Sequence, residues 1–178
     1  MRNILAAVLF LSSFFTYAEP TLPKAKVDFN AFLKLAKEVE PYRAKRLISL
    51  SEFNKKSNEA NTIILDTRSK EMYDQMHVKG AIHLDFTDFT QAKLEKLIPN
   101  KNTHILIYCN NNFDDEPRFF ATKMYIPPKP SNKKPITLAL NIPTYINLYG
   151  YGYRNIYELS EFVSVNHPDI QFEGLSVF

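Results

Sequence analysis

Thr62-Ile63-Ile64-Leu65-Asp66 and His104-Ile105-Leu106-Ile107-Tyr108-Cys109 decide the reading of this chain. Each is a short apolar run rich in β-branched residues, too short for a helix and without the polar alternation of a strand wetted on one side. Such runs are strands buried on both faces. Working outward, helix signals fall between strand signals. Arg46–Leu50 reads as a short strand, Ser51 caps a helix to about Asn58, Ser69 caps a short helix to Met76, and Ala81–Leu84 is a further strand. Thr87–Leu97 follows as a helix with Phe89, Ala92, Leu94 and Leu97 inward, and Asn155–Leu159 closes the series as the last strand. Strands separated by helices predict an α/β fold of three layers, a central, mostly parallel sheet of about five strands flanked by helices. In such sheets ligands bind beyond the carboxyl ends of the strands, where Asp66 and Cys109 both fall.

The flanks read differently. Arg2, the apolar run Ile4–Phe15 and Thr16-Tyr17-Ala18 have the form of a signal peptide cleaved after Ala18, which predicts export to the periplasm or beyond from a bacterium. A membrane anchor needs about 20 apolar residues, and Glu19 and Pro20 cut this run short. No stable membrane insertion is expected after cleavage. Residues 19–39 read as an extension carrying a helix capped by Asp28 and stopped at Pro41, 40–165 as the domain, and 166–178 as a tail.

After Cys109 the pattern breaks. Residues 110–136 open with Asn110-Asn111-Asn112, then hold Asp114, Asp115 and Glu116, then Pro117, Pro127, Pro128, Pro130 and Pro135, a composition that predicts an inserted ordered loop or small hairpin. Helical signal returns at Asn141 as N-cap and ends at Gly150 and Gly152.

With 22 Lys and Arg against 19 Asp and Glu and no clustered basic face, nothing indicates a nucleic-acid partner. His77 and His83 lie off helical spacing, so no metal is expected, and no cofactor is implied. Cys109 is the chain's single cysteine. Exported proteins usually pair cysteines in disulfides, so a solitary one is either a buried apolar residue or a thiol kept for its reactivity.

Four stretches in order around that cysteine resemble the rhodanese homology domain. Asp66-Thr67-Arg68-Ser69-Lys70-Glu71-Met72-Tyr73 is similar to that family's strand-ending D-x-R followed by a Glu and an aromatic. His77-Val78-Lys79-Gly80-Ala81-Ile82-His83-Leu84 resembles its G-H-I-x-G-A-I-x-L turn and strand, with Met76 at the usual first glycine. The third stretch is Ile105–Cys109. The fourth, Gly152-Tyr153-Arg154-Asn155-Ile156-Tyr157-Glu158-Leu159, looks like the closing G-Y-x-x-V-x-x-L strand.

The resemblance implies a sulfurtransferase or sulfane-sulfur carrier in which Cys109 takes sulfur from a small donor such as thiosulfate or a persulfide. It implies Asn110, Asn111, Asn112, Phe113 and Asp114 as the active-site loop, with Asp66 and Arg68 in support. The loop departs from the family, which places a basic residue soon after the cysteine and then a helix. Here the acidic trio follows instead. One carboxylate about 6 Å from the sulfur, at an effective dielectric of about 20, would disfavour the thiolate by roughly 3 kcal/mol. Asn110–Asn112 can still turn backbone N–H groups inward, and Arg118 is a candidate for the missing positive charge. Asp66 and Arg68 have a plain role open to them, bracing the turn by hydrogen bonds. Two other functional classes are open: a binding module whose 110–136 loop recognises an unidentified protein partner, and a phosphatase-like relative, which is disfavoured because that chemistry needs a loop arginine to hold a dianion and the residues near Cys109 are acidic instead.

Overall fold

The computed structural model describes residues 22–125 and 136–177. The expected signal segment and the middle of the inserted loop lie outside the described residues.

Helix α1 (Phe29–Ala44) leads into strand β1 (Leu47–Ile48), helix α2 (Leu50–Ser57) and strand β2 (Thr62–Asp66). Helix α3 (Lys70–Gln75), strands β3 (His77–Val78) and β4 (Ala81–His83), helix α4 (Gln91–Leu97) and strand β5 (His104–Ile107) follow. Beyond Cys109 come a 3-10 turn (Asn110–Asn112) and strands β6 (Phe113–Asp114), β7 (Met124–Tyr125) and β8 (Ile136–Thr137). The chain then forms helix α5 (Asn141–Gly150) and strands β9 (Ile156–Leu159), β10 (Val163–Ser164) and β11 (Phe172–Glu173).

The main sheet has five strands in the order β1-β9-β5-β2-β4, every neighbouring pair parallel. This is the expected α/β architecture, with β5 at the centre. Alternation divides the side chains between two cores. Ile64, Leu106, Tyr108 and Leu159 join Leu50 and Phe53 of α2 on one face. Leu65, Ile105, Ile107 and Ile156 join Val39, Leu94, Tyr145 and Leu148 of α1, α4 and α5 on the other.

Local chemistry explains where the elements begin. Ser49, not Ser51, caps α2, because Glu52 stands three residues on and closes a capping box with it. Thr90 caps α4, and the residues expected as its first turn form a separate 3-10 turn at Phe86–Asp88, so the helix starts later than the pattern suggests. Pro41 does not stop α1, which runs on to Ala44 with the proline inside it. So close to the helix end, one missing N–H is tolerated, and packing decides: Val39 is buried and Tyr42 meets Tyr149 of α5 edge-on at 5.0 Å. Residue 39 is therefore no boundary, since α1 covers the α5 face of the sheet.

The C-terminal stretch is likewise integral. Strand β11 pairs antiparallel with β3, Ile170 lies in the core, and Leu175 and Ser176 donate backbone hydrogen bonds to Asp74 and Gln75 at 2.9 and 3.0 Å. Gly174 enables this stitch with φ +135°, and a Cβ there would strike the Gln75 carbonyl. Gly174→Ala is expected to destabilise the fold by more than about 1 kcal/mol, read as a lower urea midpoint. An unchanged midpoint would mean the tail does not contribute to stability.

Candidate functional site

Cys109 follows the central strand. Its backbone is still extended (φ −145°, ψ 175°), so the alternation that sends Tyr108 to the α2 face assigns Cys109 to the face of Ile107 and α5. The residue is a free cysteine with only 1% of its surface exposed. It opens the 3-10 turn of Asn110–Asn112, and the three asparagines have distinct tasks.

Asn112 is buried and ties the cysteine to β9. Its Oδ1 accepts from the Cys109 N–H at 2.8 Å, its own N–H donates to the Cys109 carbonyl at 3.0 Å, and its Nδ2 donates to the Leu159 and Glu161 carbonyls at 2.8 and 3.1 Å. Asn111 holds the start of the hairpin. Its Oδ1 accepts from the Lys123 N–H at 2.9 Å, and its Nδ2 reaches Thr137 Oγ1 at 3.2 Å across the β7–β8 pair. Asn110 is buried, and its Oδ1 has no partner among the described residues.

Phe113 proves to be a core residue. It packs with Tyr108, Phe120 and Phe172 at centroid distances of 5.6, 4.7 and 5.2 Å, and so anchors the segment that returns after the cysteine. Strand β6 continues alongside β10 in parallel pairing. The acidic trio faces away from the buried core: Asp114 and Asp115 are exposed, Asp115 accepts from the Ser164 hydroxyl, and Glu116 forms a two-bonded pair with Arg118 at 2.7 and 2.8 Å. Arg118, expected as a candidate for the missing positive charge, does not fold back toward the cysteine. Its side chain is 75% exposed and its near partner Glu116, two residues away, holds it in solvent. That pairing keeps the Glu116 carboxyl below its ordinary range and the Arg118 guanidinium above its own.

Asp66 and Arg68 are both buried and form a brace. The guanidinium forks onto the carboxylate through Nε at 3.1 Å and Nη2 at 2.7 Å, and the Arg68 N–H adds a bond at 2.9 Å. The Tyr108 hydroxyl donates to the same carboxylate at 2.5 Å and accepts from the Val78 N–H at 3.1 Å. Burial, reinforced by the Asp66 charge, pushes the Tyr108 hydroxyl well above its ordinary range, so it remains a donor. Burial alone would lower the Arg68 guanidinium, but Asp66 outweighs it and holds the group above its usual value. The rest of Arg68 reaches outward: Nη1 donates to the Phe119 carbonyl at 2.9 Å, Nη2 to the Met76 carbonyl at 2.6 Å, and the plane lies 4.4 Å over the Phe120 ring. The D-x-R pair thus clamps the returning segment of the cysteine loop.

Two further contacts escape a reading of the sequence. Thr67 and Thr144 share a buried hydrogen bond at 2.9 Å, tying the end of β2 to α5. Glu158, level with Ile107 in the sheet, is buried between Arg43, which meets it through Nε at 2.6 Å and Nη2 at 2.5 Å, and Asn141 Nδ2 at 2.5 Å. A carboxylate inside the apolar strand Ile156–Leu159 is the one signal that a cation would come to meet it.

The fold, the central strand and its cysteine now stand together, and the sequence matches the Rhodanese-like domain family over residues 49–161. The chain belongs to the rhodanese-like domain family. An uncharacterized protein of Buchnera aphidicola subsp. Schizaphis graminum is 32% identical over 82 residues, which are 46% of this chain and 49% of that protein. The match thus spans about half the length of that relative. Among solved structures, the Alr3790 protein from Anabaena sp. is similar with a TM-score of 0.46 at 16% identity, over 72% of this chain and 82% of that one. The BH2092 protein from Bacillus halodurans gives 0.43 at 15%, over 73% and 77%. A rhodanese with anions from E. coli gives 0.39 at 19%, over 64% and 98%. Among the described residues of this rhodanese-like chain, no group of three or more His, Cys, Asp or Glu is placed to share a metal ion.

The cleft residues lie elsewhere. A cavity of about 780 Å³ lies at the amino ends of the strands, lined by Asn54, Asn58, Thr62, Lys79 and Gln171 among others. A second, of about 510 Å³, lies between Ser49–Ser51 and Glu161–Ser164. Neither is lined by Cys109.

Proposed function

We propose that this chain is an exported sulfurtransferase or sulfane-sulfur carrier that uses Cys109. One observation carries the reading: the chain's lone cysteine follows the central strand of a rhodanese-like sheet, its N–H fixed by Asn112. With thiosulfate as donor, the Cys109 thiolate attacks the outer sulfur, the S–S bond to the sulfonate breaks, and sulfite leaves with the electron pair. The product is a cysteine persulfide anion, whose terminal sulfur then passes to a nucleophilic acceptor. Export rests on the sequence of residues 1–18, and the mass of protein recovered from the periplasm should lack them.

The burial of Cys109 requires the elements that cover it to part before a donor can reach the sulfur. The same burial favours the second reading, a binding module in which the thiol is an inert core residue. Incubation with thiosulfate followed by intact mass measurement separates them. One added sulfur, absent in Cys109→Ser, is the expected result. A folded protein that takes up none from either thiosulfate or a small persulfide would overturn the sulfur reading and leave the module.

A further inference from the structure

Helix α1 is only half covered. From Leu35 to Arg43 it packs on the last turn of α5 and on β9, with Leu35 beside Gly150, Tyr42 on Tyr149 and Arg43 on Glu158. Toward its N-terminus it overhangs the domain. Phe29, Phe32 and Leu33 occupy i, i+3 and i+4, a single stripe, and are 69%, 44% and 40% exposed, while Leu22 and Val27 just before them are 90% and 83% exposed. Lys24, Lys26, Lys34 and Lys37 flank this apolar surface, all exposed, against Asp28 as the sole acidic residue of 22–37. Asp28 is itself occupied in capping the helix, accepting from the Ala31 N–H at 2.9 Å.

We infer that the overhanging segment 22–37 docks on the surface of an anionic phospholipid bilayer, its aromatic stripe in the headgroup boundary and its lysines on lipid phosphates. An apolar stripe bordered by lysines is the pattern of an interfacial helix. Charge decides against a second copy as the occupant. Pairing this face with itself would bring eight lysines together, whereas anionic headgroups neutralise them. The docking is independent of the sulfur reading.

Vesicle co-sedimentation of the chain from Glu19 onward, which holds every described element, tests this. Binding to phosphatidylcholine mixed with phosphatidylglycerol should exceed binding to phosphatidylcholine alone and weaken with salt. Lys24→Gln with Lys26→Gln should lower affinity about fivefold per lysine removed, and Phe29→Asp with Phe32→Asp about tenfold or more, with circular dichroism unchanged because these side chains are exposed. Absent or charge-independent binding overturns the proposal. So does a dimer in light scattering that the Phe variants dissolve, which would assign the stripe to a second copy.

Discussion

Arg68→Ala is expected to cost about 3–5 kcal/mol of folding stability, more than any surface change in this chain. The reason is what the substitution leaves behind. Asp66 and Arg68 are 0% and 2% exposed, and with the guanidinium gone the carboxylate remains in the core with only the Arg68 N–H and the Tyr108 hydroxyl as donors. The Phe119 and Met76 carbonyls lose their donor in the same step, and Phe120 loses the cation above its ring. Arg68→Lys keeps the charge but not the planar fork that makes bonds to Asp66, Phe119 and Met76 together, so it should recover only part of the loss. Urea denaturation followed by circular dichroism reads both variants. A loss below about 1 kcal/mol for the alanine variant would show that water enters and solvates Asp66, and that the brace is not what holds the returning segment.

The Asp66–Arg68 pair also marks how far the sequence could be read. Apolar runs such as Ile63–Leu65 and Ile105–Ile107 announced buried parallel strands, because burial on both faces requires unbroken hydrophobicity, and the five-strand sheet contains them within a residue of the expected limits. Capping chemistry was legible too, but two competing serines at 49 and 51 could be separated only by finding Glu52 at the right offset. Pro41 misled because local propensity was allowed to outvote packing: the buried Val39 and the Tyr42–Tyr149 contact outweigh one missing hydrogen bond.

The site was legible as positions rather than as contacts. Cys109 at the end of a strand follows from the apolar run before it, whereas the partners of Arg68 lie in segments 8 and 51 residues away, a separation no local pattern encodes. The Arg118 expectation failed for a local reason. A guanidinium two residues from a carboxylate finds its partner without any folding of the loop, so Glu116 satisfies it in solvent and nothing draws it inward. That local pairing also disposes of part of the acidic charge. The three carboxylates that argued against a reactive thiol are exposed or partnered, and their effect on the sulfur is correspondingly screened.

Removal of Asn112 should have the second largest effect. Its side chain holds the Cys109 N–H, the Leu159 carbonyl and the Glu161 carbonyl at once, so it locks the loop after β5 to the end of β9. Asn112→Ala leaves those groups without their partner, the first two of them buried. At roughly 1–3 kcal/mol for each buried group left unsatisfied, less what water recovers at Glu161, the cost is about 2–4 kcal/mol. Asn112→Asp is the informative companion, because a carboxylate can still accept from the Cys109 N–H but cannot donate to either carbonyl. It should therefore lose the tie to β9 while keeping the cysteine backbone in place. If the proposed chemistry holds, both variants should take up sulfur from thiosulfate more slowly than the wild type, measured on folded protein by mass: the alanine variant because the Cys109 backbone is released, the aspartate variant because its carboxylate beside the cysteine disfavours the thiolate. Equal rates for all three proteins, alongside the expected loss of stability, would reduce Asn112 to a structural pin and show that fixing the Cys109 backbone contributes nothing to the reaction.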